Sequence, residues 1–119
     1  MTEEMLPLAR RAVACRDWRW MLGARWIVTR AAPLEDYAGR IVEGGRRAPD
    51  GPGLPDLSDP ATMGCLLALV REVWGQDDMS ASRYREQWCV EVTPQEAQNY
   101  AFYGASEAEA LVAALEGAP

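Results

Sequence analysis

One stretch constrains the fold more than any other: residues 59–75 carry the signals for both ends of a helix. Asp59 is a good N-cap, because its carboxylate can take a backbone N–H that the first turn leaves unpaired. Pro60 suits the first helical position, where a missing N–H costs nothing, and Gly75 is placed to end the helix. Between them Met63, Cys65, Leu66, Leu67, Leu69, Val70, Val73 and Trp74 cover most of the circumference. A helix apolar nearly all round is a buried one. The sequence therefore predicts a central core helix, with Leu67→Ala costing about 2–5 kcal/mol.

Around that helix the apolar period changes repeatedly. Thr2, Glu3 and Glu4 open a first helix with acids near the positive end of its dipole, and Pro7 is tolerable only in the first turn. Met5, Leu8, Ala9, Ala12 and Val13 share one stripe, which ends near Arg16. Trp18, Trp20 and Leu22 then alternate, predicting a strand over residues 17–22 that Gly23 breaks. Residues 25–30 are β-branched and aromatic and predict a second strand. Residues 39–43 predict a short third one, and residues 44–55 are dense in turn formers and predict a loop. Residues 76–82 read as a polar loop. Residues 84–92 read as one strand with Trp88, Val90 and Val92 on a shared face, stopped by Pro94. Residues 95–103 fit either a short strand or an aromatic loop. Ser106 and Glu109 match the capping box, Ala108, Leu111, Val112 and Leu115 make a stripe, and Gly117 ends the last helix. The expected fold is α+β: a mainly antiparallel sheet packed against a buried central helix, with N- and C-terminal helices, in a single domain over residues 1–119, without internal repeats.

Composition sets the outer bounds. At 119 residues, 49% hydrophobic and 25% charged, the chain can bury one core without disulfide or metal staples. Its longest apolar run, residues 63–70, is far shorter than the roughly 20 residues a spanning helix needs. The acidic start lacks an export pattern, so a cytoplasmic protein with no membrane contact is expected. Cys15, Cys65 and Cys89 are an odd number without close spacing, and read as reduced, small hydrophobes. All twelve basic residues are arginine, with no lysine or histidine, as the codons of a GC-rich genome favour. The net charge is −6; arginines outnumber acids only within residues 1–30. That balance opposes non-specific binding to nucleic acid, which depends on neutralising phosphates. It suits a basic protein partner by steering, or simply solubility.

The same inventory narrows the chemistry. Without histidine there is no Ser-His-Asp or Cys-His arrangement and no His-ligated metal. No CxxC and no phosphate-cradling glycine loop occurs. Asp77 with Asp78, and Asp56 with Asp59, are the carboxylate pairs; in loops such pairs are ordinarily solvated, and a magnesium site would need further ligands from the fold. The reading is non-enzymatic, with no catalytic, metal or cofactor residues, and a carboxylate-dependent enzyme as the lesser alternative. Folding alone explains the tryptophans least well. Five occur in 119 residues, and Trp18, Trp20 and Trp26 interleave with Arg19 and Arg25. They fit a core face under the 59–75 helix, a protein interface, or a pocket that stacks a nucleotide-type ligand. Trp18, Arg19, Trp20, Arg25, Tyr100 and Tyr103 are the candidate partner- or ligand-binding residues, with a protein the expected partner and a small ligand the runner-up.

Three segments, Trp18-Arg19-Trp20-Met21-x-Gly23, residues 54–75 (LPDLSDPATMGCLLALVREVWG) and residues 107–116 (EAEALVAALE), resemble small proteins of bacteriophages and prophages of GC-rich bacteria. The middle segment is the specific one. Here Leu22 stands where that group commonly has a proline in a Trp-Arg-Trp-Met-Pro-Gly turn. The resemblance implies a genomic setting and carries over no functional residue. It also implies action by binding, including the blocking of host defence, as is common for small phage accessory proteins.

Overall fold

The computed structural model describes residues 2–28, 38–42, 53–93 and 99–119. The strand ends predicted at Thr29, Arg30 and Glu43, the loop at 44–52, and Pro94 with residues 95–98 lie outside the described residues.

After a short 3-10 turn over Glu3–Met5, helix α1 spans Leu6–Ala14, with Pro7 in its first turn and Leu8, Ala9 and Ala12 buried. Strands β1 (Arg25–Val28), β2 (Ala38–Arg40) and β3 (Gly53–Pro55) form one antiparallel sheet in the order β2-β1-β3. Helix α2 spans Pro60–Trp74. Strands β4 (Ala81–Tyr84), β5 (Gln87–Val92) and β6 (Tyr100–Gly104) form a second antiparallel sheet in the order β4-β5-β6, and helix α3 spans Glu107–Glu116. This is the α+β fold expected. No helix among the described residues is long and apolar enough to cross a membrane.

The α2 caps form as the sequence predicts: the Asp59 side chain accepts from Thr62 N at 3.0 Å, and Gly75 ends the helix in a left-handed conformation. Burial is more one-sided than the composition implies. Thr62, Leu66, Leu69, Val70 and Trp74 are buried, whereas Ala61, Gly64, Ala68 and Glu72 form an exposed stripe. Leu67, expected in the core, is only half-buried. The most enclosed helix is α3, with Ala108, Ala110, Leu111, Val112, Ala114 and Leu115 all buried. Its alanines let the second sheet, α1 and α2 approach it from different sides. At its start Ser106 Oγ accepts from Glu109 N at 3.1 Å. Glu109 reaches back to Ala105 N at 2.6 Å, one residue before the N-cap that a standard capping box would bond.

Three sequence expectations change. Residues 17–22 form no strand: both sides of β1, the strand that follows them in the chain, are taken by β2 and β3, and the segment bonds to α2 instead. Residues 53–55, expected in a loop, are edge strand β3, a place where the missing N–H of Pro55 is tolerated. The single strand over residues 84–92 is instead the β4–β5 hairpin, which begins at Ala81 within the predicted polar loop and turns at Arg85 and Glu86. Arg85 has φ 59°, a region in which glycine or asparagine is usual, so no turn residue announced it. Of the two readings of residues 95–103, a strand forms from Tyr100.

Candidate binding surface

Residues 18–22 follow the turn after α1 and run along α2 as an extended segment without strand partners, and Gly23 and Ala24 then bond to Ile41 beside β2. At one end Arg19 Nη1 donates to Glu72 Oε1 at 3.0 Å; at the other the Leu22 carbonyl accepts from Cys65 Sγ at 3.3 Å. Glu72 and Cys65 are two helical turns apart, which matches the rise of the extended chain between Arg19 and Leu22. The segment closes in a turn in which Ala24 N donates to Met21 O at 3.1 Å. Gly23 sits at φ 95°, as the third position of a type II turn requires. Leu22 holds the second position, the one that proline favours.

Within this segment the side chains divide. Trp18 and Met21 pack against the core, and Trp20 meets Trp18 edge-on, with ring centroids 5.4 Å apart. Leu22 points outward and is 62% exposed; Val42, at 56%, follows Ile41 just after β2, and Gly23 N donates to Ile41 O at 2.9 Å. Beside Leu22 runs the bare stripe of α2, where a Cβ added at Gly64 would meet nothing within 4 Å. Toward the end of α2 this flank opens into a hollow of 510 Å³ lined by Ala68, Arg71, Glu72, Gly75 and Asp77.

Arg25 is engaged within the fold. Its guanidinium pairs with Asp56, which is 3% exposed, and its backbone N donates to Thr62 Oγ1 at 2.8 Å. Burial pushes the Asp56 carboxyl up, but hydrogen bonds from Ser58 and Arg25 outweigh it and hold the group below its ordinary range. Arg40 bonds both carboxylate oxygens of Asp59, at 2.8 and 2.9 Å, and Asp59 lies well below the ordinary range, chiefly through Arg40 and also through Thr62. Together these pairs tie the first sheet to the start of α2. They also answer for Asp56 and Asp59, whose carboxylates the fold uses as hydrogen-bond acceptors.

The two remaining candidates lie elsewhere. Tyr100 stacks at a tilt on Trp74, with centroids 5.5 Å apart, whereas Tyr103 is on the opposite face of β6, paired across the sheet with Cys89. Tyr103 titrates above its ordinary value, chiefly because of the Cys89 thiol beside it; burial raises Cys89 in turn. Trp74 follows Glu72 by two residues, about 200° around the helix. The Arg19 and Tyr100 regions therefore flank different sides of α2, and the six candidates do not assemble into one patch. Sequence reasoning missed the exposed pair Leu22 and Val42 and the α2 stripe. The signal for the stripe was there, since Ala61, Gly64 and Ala68 are small residues at helical spacing.

Another concavity is a cleft of 460 Å³ lined by Arg11, Ala14, Cys15, Arg16, Asp17, Leu115, Glu116, Ala118 and Pro119. Its arginines are engaged: Arg11 Nη2 donates to Glu116 Oε1 and Arg16 Nη2 to Pro119 O, both at 2.6 Å. No group of three metal-ligating side chains occurs among the described residues. No family model, curated protein or solved structure matches the chain.

Proposed function

We propose that this protein acts by binding another protein, as a non-enzymatic accessory protein of a bacteriophage or prophage in the host cytoplasm, with inhibition of a host defence as one outcome. The observation that carries the reading is the α2 flank. Leu22 and Val42 are more than half exposed beside a helix stripe of Ala61, Gly64 and Ala68 that presents almost no side chain. Exposed apolar surface joined in this way supports a docking site, and a small-residue helix face lets a partner's backbone approach closely. The edge-on Trp18 and Trp20 pair and the Arg19–Glu72 bridge border it.

The test uses a substitution that the fold tolerates. Gly64→Arg puts a long charged side chain where nothing stands and replaces glycine in a helix, so the melting temperature should hold or rise. The expected result is a stoichiometric band captured from host lysate by the wild-type protein and lost with Gly64→Arg. Arg19→Glu should give the same loss with little change in melting, since an exposed ion pair is worth about 0–1 kcal/mol. Retention of the band by both variants would overturn the assignment of this surface. A second reading, a small-ligand binder of nucleotide type, draws support from the ligand-sized cleft beside Cys15. A thermal shift with a nucleotide panel and no captured band would favour it.

A further inference from the structure

A second surface, independent of the α2 flank, is the outer edge of β4, which pairs with no other strand among the described residues. In the order β4-β5-β6 this strand is outermost, and its turn with β5 contains only Arg85 and Glu86, between the paired Tyr84 and Gln87. A two-residue turn closes on a pair that exchanges both backbone hydrogen bonds. Counting back along β4, Tyr84 and Ser82 bond to β5, while Ala81 and Arg83 aim their N–H and C=O groups away from the sheet. Such a row is a template for another strand.

Charge along this edge is polarised. Exposed Asp77 and Asp78 precede the strand, and exposed Arg83 and Arg85 lie at its far end. None of the four has an ion-pair partner among the described residues. Arg71, the other arginine of residues 60–119, is already bonded to Met79 O. Arg83 and Arg85 are instead held over the rings of Trp88 and Tyr84, at 5.7 and 5.5 Å, which fixes two guanidiniums at the hairpin tip. Glu86 shares the turn, leaving two cations to one anion there. An edge running from acid to base is self-complementary in one orientation only: antiparallel pairing sets each copy's arginines against the other's aspartates, whereas parallel pairing sets like against like. Side-chain size agrees. Tyr84 is 53% exposed, and its counterparts at the opposite end of the same face are the small Ser80 and Ser82.

We propose that two copies of the chain associate through β4, antiparallel, to join their second sheets into one continuous sheet about a two-fold axis. The edge is short and its ion pairs are exposed, so the dimer is weak and salt-sensitive.

Sedimentation of the full chain from micromolar to millimolar concentration tests this. Wild type should pass from monomer to dimer, with the transition moving to higher concentration as salt is added. Two charge-swapped variants sharpen the test. R83E/R85E has an all-acidic edge and D77R/D78R a basic one interrupted only by Glu86, so each alone should self-associate at least about tenfold more weakly. Mixed in equal amounts they should form a heterodimer tighter than the wild-type dimer. A wild type that stays monomeric to millimolar concentration overturns the proposal, as does a mixture that stays monomeric while both components melt normally, or a wild-type dimer unaffected by either swap. If a double variant fails to fold, the single swaps Arg85→Glu and Asp78→Arg carry the same comparison.

Discussion

Arg85 occupies a backbone region that costs an ordinary L-residue about 1–2 kcal/mol. Arg85→Gly should therefore stabilise the monomer, raising its melting temperature by a few degrees, about what 1 kcal/mol produces in a domain of this size; a fall would show that the stacking on Tyr84 outweighs the strain. Asp59 supports a prediction of a different kind. Its carboxyl titrates lower when folded than when unfolded, so its ion pair and cap contribute in full above the unfolded value near 3.8 and are lost as pH falls toward the folded value. Asp59→Asn keeps a capping side chain but loses the negative charge that pairs with Arg40. Its deficit against wild type in denaturant melts should be largest near neutral pH and shrink below about pH 4. Asp59→Ala removes the cap as well and should cost a further ~0.5–2 kcal/mol. The tryptophan excess also resolves at this scale. Trp74 donates to Ala114 O at 2.9 Å, Trp88 and Trp18 pack on the core, and the Trp26 ring covers Gly39 so closely that a Cβ there would lie 2.5 Å from it. Trp20 alone is left with an edge-on ring contact at the surface.

Elements differ in what holds them. Because α2 buries one side only, the core prediction made for Leu67 belongs to its neighbours. Leu66→Ala should cost about 2–5 kcal/mol and Leu67→Ala distinctly less, read from paired denaturant melts. Equal losses would mean that Leu67 is as enclosed as Leu66. The 21–24 turn gives the opposite sign. Leu22 holds the position where type II turns favour proline, so Leu22→Pro should stabilise by about 0.4–1 kcal/mol by restricting the unfolded chain. The same change removes the most exposed leucine of the α2 flank, so under the proposed docking role a more stable protein that captures less partner is the expected pairing of results.

At the scale of the molecule, α3 joins the parts: the second sheet covers it on one side and α1 and α2 on others. The first sheet is tied to α2 through polar pairs, Arg25 with Asp56 and Arg40 with Asp59. Acid should therefore loosen the first sheet before the second, because both carboxylates sit below their ordinary values and lose their pairing only on protonation. Amide exchange followed downward from about pH 4 would show it as loss of protection at Ile27 at a higher pH than at Val90; simultaneous loss would show that the sheets open together.

The sequence by itself determined the helices, because capping residues and a 3.6-residue apolar period are local properties that sit next to each other in the chain. Asp59 with Gly75 and Ser106 with Glu109 marked helix ends that the fold keeps. It determined the α+β class for the same reason. Only the tertiary structure decided which alternating segment finds a strand partner. Trp18, Trp20 and Leu22 have the right period, yet β1 is already paired on both sides, while Gly53, Leu54 and Pro55, with no strand signal, gain an edge. The candidate site followed the same division. That the Trp18 segment is unusual was legible from residue types. That Arg25 is spent on a buried aspartate, and that Leu22, Val42 and the Gly64 stripe are each left exposed, depends on contacts between residues far apart in the chain.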